Sequence, residues 1–489
     1  MVGRFGLVGV ASLAAIALNA PLAAQDAAPL ATPAPQQTPA PVIVAPIPLP
    51  PPTLTAAQAD QVRRIIVQGR IAQGLRYSTA AAEQLPADDA GLVRAALDYA
   101  RAIHIGRLDT ADFQEDWALR PMAWDPMPEF RAAVAADRLP QWFAQLTPPY
   151  AGYETLRQGL ATYRRIEASG GWSAVPAGPD MNVGATGPRV LALRKRLKVE
   201  DDLVVTTGDT FDAELKEAVI RAQRRYGLNP TGTVSTGTLG ALNVPVASRI
   251  RQIMANMERW RWMPKEMPTD RVQVNIASAS VAVFEGDSPV MSMRGVTGKP
   301  GGGETPMLVS SIHSVVINPP WNVPAGIAAR ELFPKGEAYL ARNGFKVIGT
   351  GAGRRLQQQP SHSALGKYKF DFDNPFAVYL HDTPTKGTFS RFDRLASHGC
   401  IRLEKPGELA NLLLQGDPVW TPEKVAETVA GGKTTRVKLP KEVAVYLLYW
   451  TAYGSANGTM NFRGDPYDWD KTLATKIENR SAAQALAAR

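Results

Sequence analysis

The sequence predicts a multidomain α+β protein, and three observations carry that reading. Apolar residues recur at helical spacing from Leu54 to about Trp172, and a compact pattern of three short amphipathic helices follows as far as Leu242. From Arg271 the pattern changes to short alternating runs of strand type, interrupted by one helical and basic segment between Ala325 and Ser363. At 489 residues with 45% hydrophobic content the chain is long enough for several cores.

The first residues place Arg4 before an apolar run from Phe5 to Leu18, followed by Pro21 and the small residues Ala23 and Ala24, with no acidic residue before Asp26. That is the three-part order of a secretory signal peptide over residues 1–24. The apolar run is short for a membrane-spanning helix, so cleavage is expected and retention as an N-terminal anchor is the alternative. Export is expected to place the mature protein outside the cytoplasm. Residues 25–54 form a linker whose stretch from Ala28 to Thr53 holds ten prolines and no charge, an extended spacer rather than a folded element.

Residues 55–174 read as a helical domain, with Ala95, Ala96, Tyr99 and Ile103 on one face. His104 lies in it without an evident partner and reads as structural. Over residues 180–246, Val190, Leu193 and Leu197 mark one amphipathic helix, Leu215, Val219, Ala222 and Tyr226 a second, and a turn at Asn229-Pro230-Thr231-Gly232 leads to a short third. Residues 268–440 are mostly β, with strands RVQVNI, SVAVF, VMSMR, SVVIN and FAVYL. The insertion at about 325–363 reads as a lid over that sheet. Residues 441–489 are expected to hold a closing hairpin, turning at Asn457-Gly458, and a tail.

The one cysteine, Cys400, follows Ser397-His398-Gly399, and His381 precedes it by 19 residues. Nucleophilic cysteine chemistry needs a thiolate, a nearby imidazole and backbone amides aimed at the developing oxyanion. A depressed thiol pKa would assist, because an ordinary thiol is only a few per cent ionised at neutral pH. In an oxidising compartment a second exposed cysteine would risk a disabling disulfide.

The run from His381 to Arg402, ending Ser397-His398-Gly399-Cys400-Ile401-Arg402, resembles the signature of the YkuD-type L,D-transpeptidase catalytic domain. ERWRW from Glu258, NPPWNVP from Asn318, ALGKYKF from Ala364 and YLHDTP from Tyr379 resemble the large periplasmic members, and YRRIEASGGW from Tyr163 resembles the end of their helical scaffold. The three-helix stretch resembles the small peptidoglycan-binding domain. The resemblance implies Cys400 as nucleophile and His381 as proton shuttle, with the Asp382 carbonyl orienting the imidazole. It places Ser397, His398 and Gly399 around the oxyanion hole, Arg402 as a substrate contact or brace, and Tyr379, Trp321 and Asn318 along the cleft. It further implies a thioester route without cofactor. A tetrapeptide stem is the donor and a second stem the acceptor, joined between third-position diaminopimelate residues with release of D-Ala. Other wall-synthesis enzymes are candidate partners.

Other chemistries fit the sequence less well. His381, His398 and Cys400 are metal-ligand types, but no HExxH or CxxC accompanies them and only Asp382 offers a further ligand. GGKTT at Gly431 has Glu427 where a P-loop needs glycine. The net charge of +9 suits an anionic partner, yet no long Lys/Arg run or nucleic-acid motif is present. His313 and His362 read as structural. Water, a free D-amino acid or a protein amine are alternative acceptors for the same acyl-enzyme, and a non-catalytic wall-binding scaffold is the reading from another class.

Overall fold

The computed structural model describes residues 50–76, 85–286, 288–455 and 457–487. The expected signal peptide and most of the linker lie outside them. The N-terminal helical region comprises α1 (Ala56–Ala72), α2 (Asp89–His104), α3 (Met127–Ala135), α4 (Leu139–Gln145) and α5 (Ala151–Ala168). Local sequence signals start the first two. Thr55 and Gln58 form a reciprocal capping box on α1, and the Asp88 carboxylate accepts from the Gly91 N–H at the start of α2. The three-helix unit is α6 (Pro188–Lys198), α7 (Ala213–Arg225) and α8 (Thr236–Leu242), with Asp212 and Ser235 as N-caps of the last two. Helix α9 (Val246–Trp260) then runs into the β region, buried from Ile253 through Trp260.

Strands β1 (Asp270–Asn275), β2 (Ser280–Glu285), β3 (Ser288–Gly298) and β4 (Leu308–Ile317) follow the alternation read from sequence. The insertion has a fold of its own. Strand β5 (Trp321–Val323), the short α10 (Ala325–Ile327), a π-turn over Ala328–Leu332, α11 (Glu337–Arg342), β6 (Phe345–Ile348) and β7 (Arg355–Gln358) form a three-stranded sheet ordered β5-β7-β6. It closes on a separate apolar cluster of Val323, Ala328, Leu332, Leu340, Phe345 and Leu356. The chain returns through β8 (Tyr368–Phe372), β9 (Leu380–His381), β10 (Leu395–Ser397) and β11 (Ile401–Leu403). Helices α12 (Pro406–Leu413) and α13 (Pro422–Ala430) precede β12 (Thr435–Leu448), and β13 (Ala452–Gly454) pairs with β14 (Met460–Phe462) before α14 (Trp469–Ala487). The main sheet has nine strands in the order β10-β3-β11-β9-β8-β4-β12-β1-β2.

Two sequence expectations are corrected here. FAVYL is not a full strand: the Asn374 side chain bonds the backbone at Phe372, Phe376 and Val378, and Ala377 takes a φ of 53°, so extended backbone resumes only at Leu380. Nor does the sheet end at residue 440, because β12 continues to Leu448 and pairs in parallel with β1. The expected tail contains α14, whose Leu473 is fully buried.

The apolar interior ignores the expected domain divisions. One cluster runs from Leu108 through α5, the three-helix unit, α9, the main sheet and Ile477, while α1 to α4 keep a second cluster around Val62, Ile66, Ala96, Phe130 and Phe143. Charged groups seal the junctions. The buried Glu258 carboxylate receives Arg261 Nη1 at 2.8 Å and Arg107 Nε at 3.3 Å, and Glu200 accepts from Arg196, Tyr163 and Tyr226. Among the described residues no helix is long and apolar enough to cross a membrane.

Candidate active site

The middle of the sheet sets the site. His381 on β9 pairs in register with Arg402 on the parallel strand β11, and the Ile401 N–H donates to the Tyr379 carbonyl at 3.0 Å. Directly paired residues share a sheet face and successive residues alternate, so His381 and Arg402 project from one face while Leu380 and Ile401 point into the core. Cys400, one step before Ile401, returns to the face of His381. Gly399 supports that turn with a φ of +109°, a conformation glycine alone takes without strain. Its carbonyl accepts from Thr305 Oγ1 at 2.8 Å and its N–H donates to Ser397 Oγ at 3.2 Å.

His381 is held in one tautomer. Its Nδ1 faces the Asp382 carbonyl, which can only accept, so Nδ1 carries the proton, and a backbone hydrogen bond at Leu365 also reaches the ring. The Asp382 carboxylate does not touch the ring. It accepts from the Lys367 N–H at 2.7 Å and the Thr383 N–H at 2.7 Å, and pairs with Lys386 Nζ at 2.5 Å, which fixes the backbone that presents the carbonyl. Burial, followed by the Arg402 guanidinium and opposed by the Asp382 contact, pushes the His381 pKa down to about 4.

The thiol differs from the sequence expectation. Cys400 is half-buried, and burial pushes its pKa up, against the opposing effects of the Tyr379 backbone and hydroxyl, Lys369 and Arg402. A depressed thiol pKa is therefore corrected: the resting pair is neutral thiol and neutral imidazole, because few solvating groups offset the cost of a buried thiolate. Tyr379 is raised well above its ordinary range by burial and by Cys400, to which its hydroxyl bonds, and Trp321 contacts the same hydroxyl. The Tyr379 ring lies edge-on to His381 with centroids 5.6 Å apart.

Among the other expected site residues, His398 turns to the insertion, its Nε2 lying 2.8 Å from Glu331 Oε1. Trp321 packs near Phe345 at the base of the insertion. Asn318 is a correction. It is 0% exposed, with Nδ2 donating to the carbonyls of Thr428, Val429 and Lys433, so it anchors the end of α13 and is closed to a substrate. Sequence reasoning missed Thr305, Glu331 and Lys369. Lys369 lay within the ALGKYKF motif, but no local signal marked the other two. No group of three or more metal-ligating side chains is found among the described residues.

Cys400 and His381, on one face of a mostly β domain, are residue types suited to nucleophilic acyl transfer, and three stretches of the chain match known domains. Residues 269–420 match the L,D-transpeptidase catalytic domain (YkuD), residues 54–160 the scaffold domain, and residues 186–242 the "Putative peptidoglycan binding domain". The chain thus carries a YkuD L,D-transpeptidase catalytic domain, which implies an acyltransferase, joined to a peptidoglycan-binding domain. A Haemophilus influenzae protein named "Putative L,D-transpeptidase" is 31% identical over 247 residues, 46% of this chain and 50% of that protein, so the chain spans half the length of this curated relative. Among solved structures, an L,D-transpeptidase from Stackebrandtia nassauensis is 15% identical with a TM-score of 0.24, covering 56% of this chain and 97% of that one. Another from Xylanimonas cellulosilytica is 18% identical with a TM-score of 0.19, covering 56% and 99%.

Proposed function

We propose that this protein is a periplasmic L,D-transpeptidase of cell-wall biosynthesis that joins third-position diaminopimelate residues of two peptidoglycan stems through a thioester on Cys400. The observation that carries this reading is His381, its Nδ1 held on the Asp382 carbonyl, on the sheet face that also bears Cys400. With both groups neutral at rest, His381 accepts the thiol proton as Cys400 attacks the carbonyl of the third residue of a tetrapeptide, so charge separates only along the reaction path. The Cys400 N–H, for which no acceptor is found among the described residues, serves the developing oxyanion. Protonated His381 then hands its proton to the departing D-Ala amine. In the second half, neutral His381 takes a proton from the side-chain amine of the acceptor as that amine displaces the thiolate.

Arg402, held beside both residues, supplies positive potential at this step, and the Glu331–His398 pair holds the insertion over the cysteine turn. Export by the N-terminal segment and attachment through the peptidoglycan-binding domain bring this chemistry to the wall, where other synthetic enzymes are the expected partners. The test is incubation of the full chain with a diaminopimelate disaccharide tetrapeptide and chromatography of the products. A cross-linked dimer plus D-Ala, absent with Cys400→Ala and His381→Gln, supports the reading. A tripeptide alone identifies water as the acceptor, and an unchanged substrate refutes the function.

A further inference from the structure

The face that carries the cysteine and histidine does not end at β9. Reading the register outward, Arg402 pairs with His381, His381 with Lys369, Lys369 with Val316, and Val316 with Arg436. These five residues form one row across β11, β9, β8, β4 and β12 and project from one face. Two positions along β8, Asp371 pairs with Ser314 and Ser314 with Lys438, so Asp371 stands on this face too. Its carboxylate bridges the row, with Lys369 Nζ at 2.5 Å and Arg436 Nη1 at 2.8 Å.

Above this row lies a cavity of about 360 Å³ whose lining includes His313, Lys369, Asp371, Asp373, Tyr379 and Arg436. Tyr379 forms its inner wall and bonds the Cys400 thiol, so the cavity begins where the acyl group would be held. A second open cavity shares His313, Asp373 and Arg436 and continues it along β4 and β12. The groups are not all committed to one another. Arg436 is well exposed and meets Ser314 and Asp371 through Nη1; among the described residues the exposed Asp373 carboxylate meets His313, at 3.7 Å. Two fixed cations, Lys369 and Arg436, face two carboxylates, Asp371 and Asp373, a charge-balanced set that complements a ligand bearing both signs.

We propose that this groove binds the amino-acid head group, ammonium and carboxylate together, at the end of the donor's third side chain. Arg436 and Lys369 receive the carboxylate, and Asp373 with Asp371 receives the ammonium. The inference rests on the reading of function given above, which puts the acyl carbon at Cys400. From that carbon an extended diaminopimelyl side chain reaches roughly 6 Å. Lys369 Nζ lies 4.3 Å from the centre of the Tyr379 ring, whose hydroxyl bonds the Cys400 thiol, and Asp371 links Lys369 to the Arg436 side chain. The head group therefore arrives at Lys369 and Asp371, with Arg436 beside them. A lysine stem, which lacks the carboxylate, leaves Arg436 unanswered, and the groove is what selects diaminopimelate over lysine.

The test is calorimetric binding of tetrapeptide stems to the full chain carrying Cys400→Ala, comparing diaminopimelate with lysine at the third position. The expected result is at least tenfold tighter binding of the diaminopimelate stem, with that preference falling below threefold on adding Arg436→Gln. Asp373→Asn, at an exposed position whose replacement spares the core, is expected to weaken the diaminopimelate stem by severalfold as well. Equal affinity for the two stems, or a preference untouched by both variants, overturns the proposal. The two readings separate cleanly: wild type that acylates both stems alike keeps the function and loses the groove. Binding preference without any acylation by wild type keeps the groove and loses the function.

Discussion

Burial of neutral His381 has a measurable effect on stability. The imidazole titrates near 6.5 when unfolded and near 4 in the folded protein. Between those values the unfolded chain takes up a proton that the fold refuses, so stability is fully present above about pH 7 and is lost as pH falls through 6.5 towards 4. A shift of this size corresponds to about 3 kcal/mol in total, of which about 2 kcal/mol is lost by pH 5. The side chain is 5% exposed, so solvent screening gives little relief. Carboxylates elsewhere also titrate in acid, which is why the comparison is made against His381→Gln, a variant that retains them and cannot take up the proton. Urea unfolding at pH 7.5 and pH 5.0 should show wild type losing about 2 kcal/mol more than the variant. The acid limb of kcat/KM in wild type should correspondingly fall near pH 4 rather than 6.5. Equal losses in the two proteins, with an acid limb at 6.5, would refute the argument for a buried neutral histidine.

Three further predictions follow from the packing around the site. Because burial raises the Cys400 thiol, labelling by iodoacetamide at pH 7.5 should be slower than for a free cysteine peptide and still rising at pH 9, whereas a fast plateau below pH 7 would mean a resting thiolate. Gly366 sits at φ +66°, and a Cβ there would lie 2.3 Å from Asp382 Oδ2. Gly366→Ala should cost about 1–2 kcal/mol in backbone strain and lower kcat by a larger factor, because Asp382 carries the carbonyl that orients His381; thermal melts and steady-state kinetics separate the two effects. Glu258→Gln leaves Arg107 and Arg261 without their buried counter-charge and should destabilise by about 3–5 kcal/mol, with a denaturation midpoint close to wild type counting against that role.

Cys400 and His381 were legible as candidate site residues because both sit in one short motif whose spacing brings β9 beside β11. Strands β1 to β4 were legible from alternation alone. FAVYL misled because its apolar content is strand-like, while the turn imposed by Asn374 and Ala377 depends on a side chain bonding its own neighbours. Asn318 misled in the opposite sense: its motif suggested a cleft, but its partners, Thr428, Val429 and Lys433, lie more than a hundred positions away. The direction of the thiol shift was equally hidden, since desolvation is set by what packs around Cys400. The charged row from Arg402 to Arg436 arises only from register among strands far apart in sequence, and the Glu331–His398 pair only when the insertion folds back.

A thioester on Cys400 is detected by intact-protein mass spectrometry after brief incubation with a diaminopimelate tetrapeptide and acid quench. The expected result is a covalent adduct equal to the stem less D-Ala on wild type, located to Cys400 by peptide mapping, missing from Cys400→Ala and slowed in His381→Gln. An adduct that persists in Cys400→Ala, or cross-linking that proceeds without any adduct on the cysteine, would contradict it.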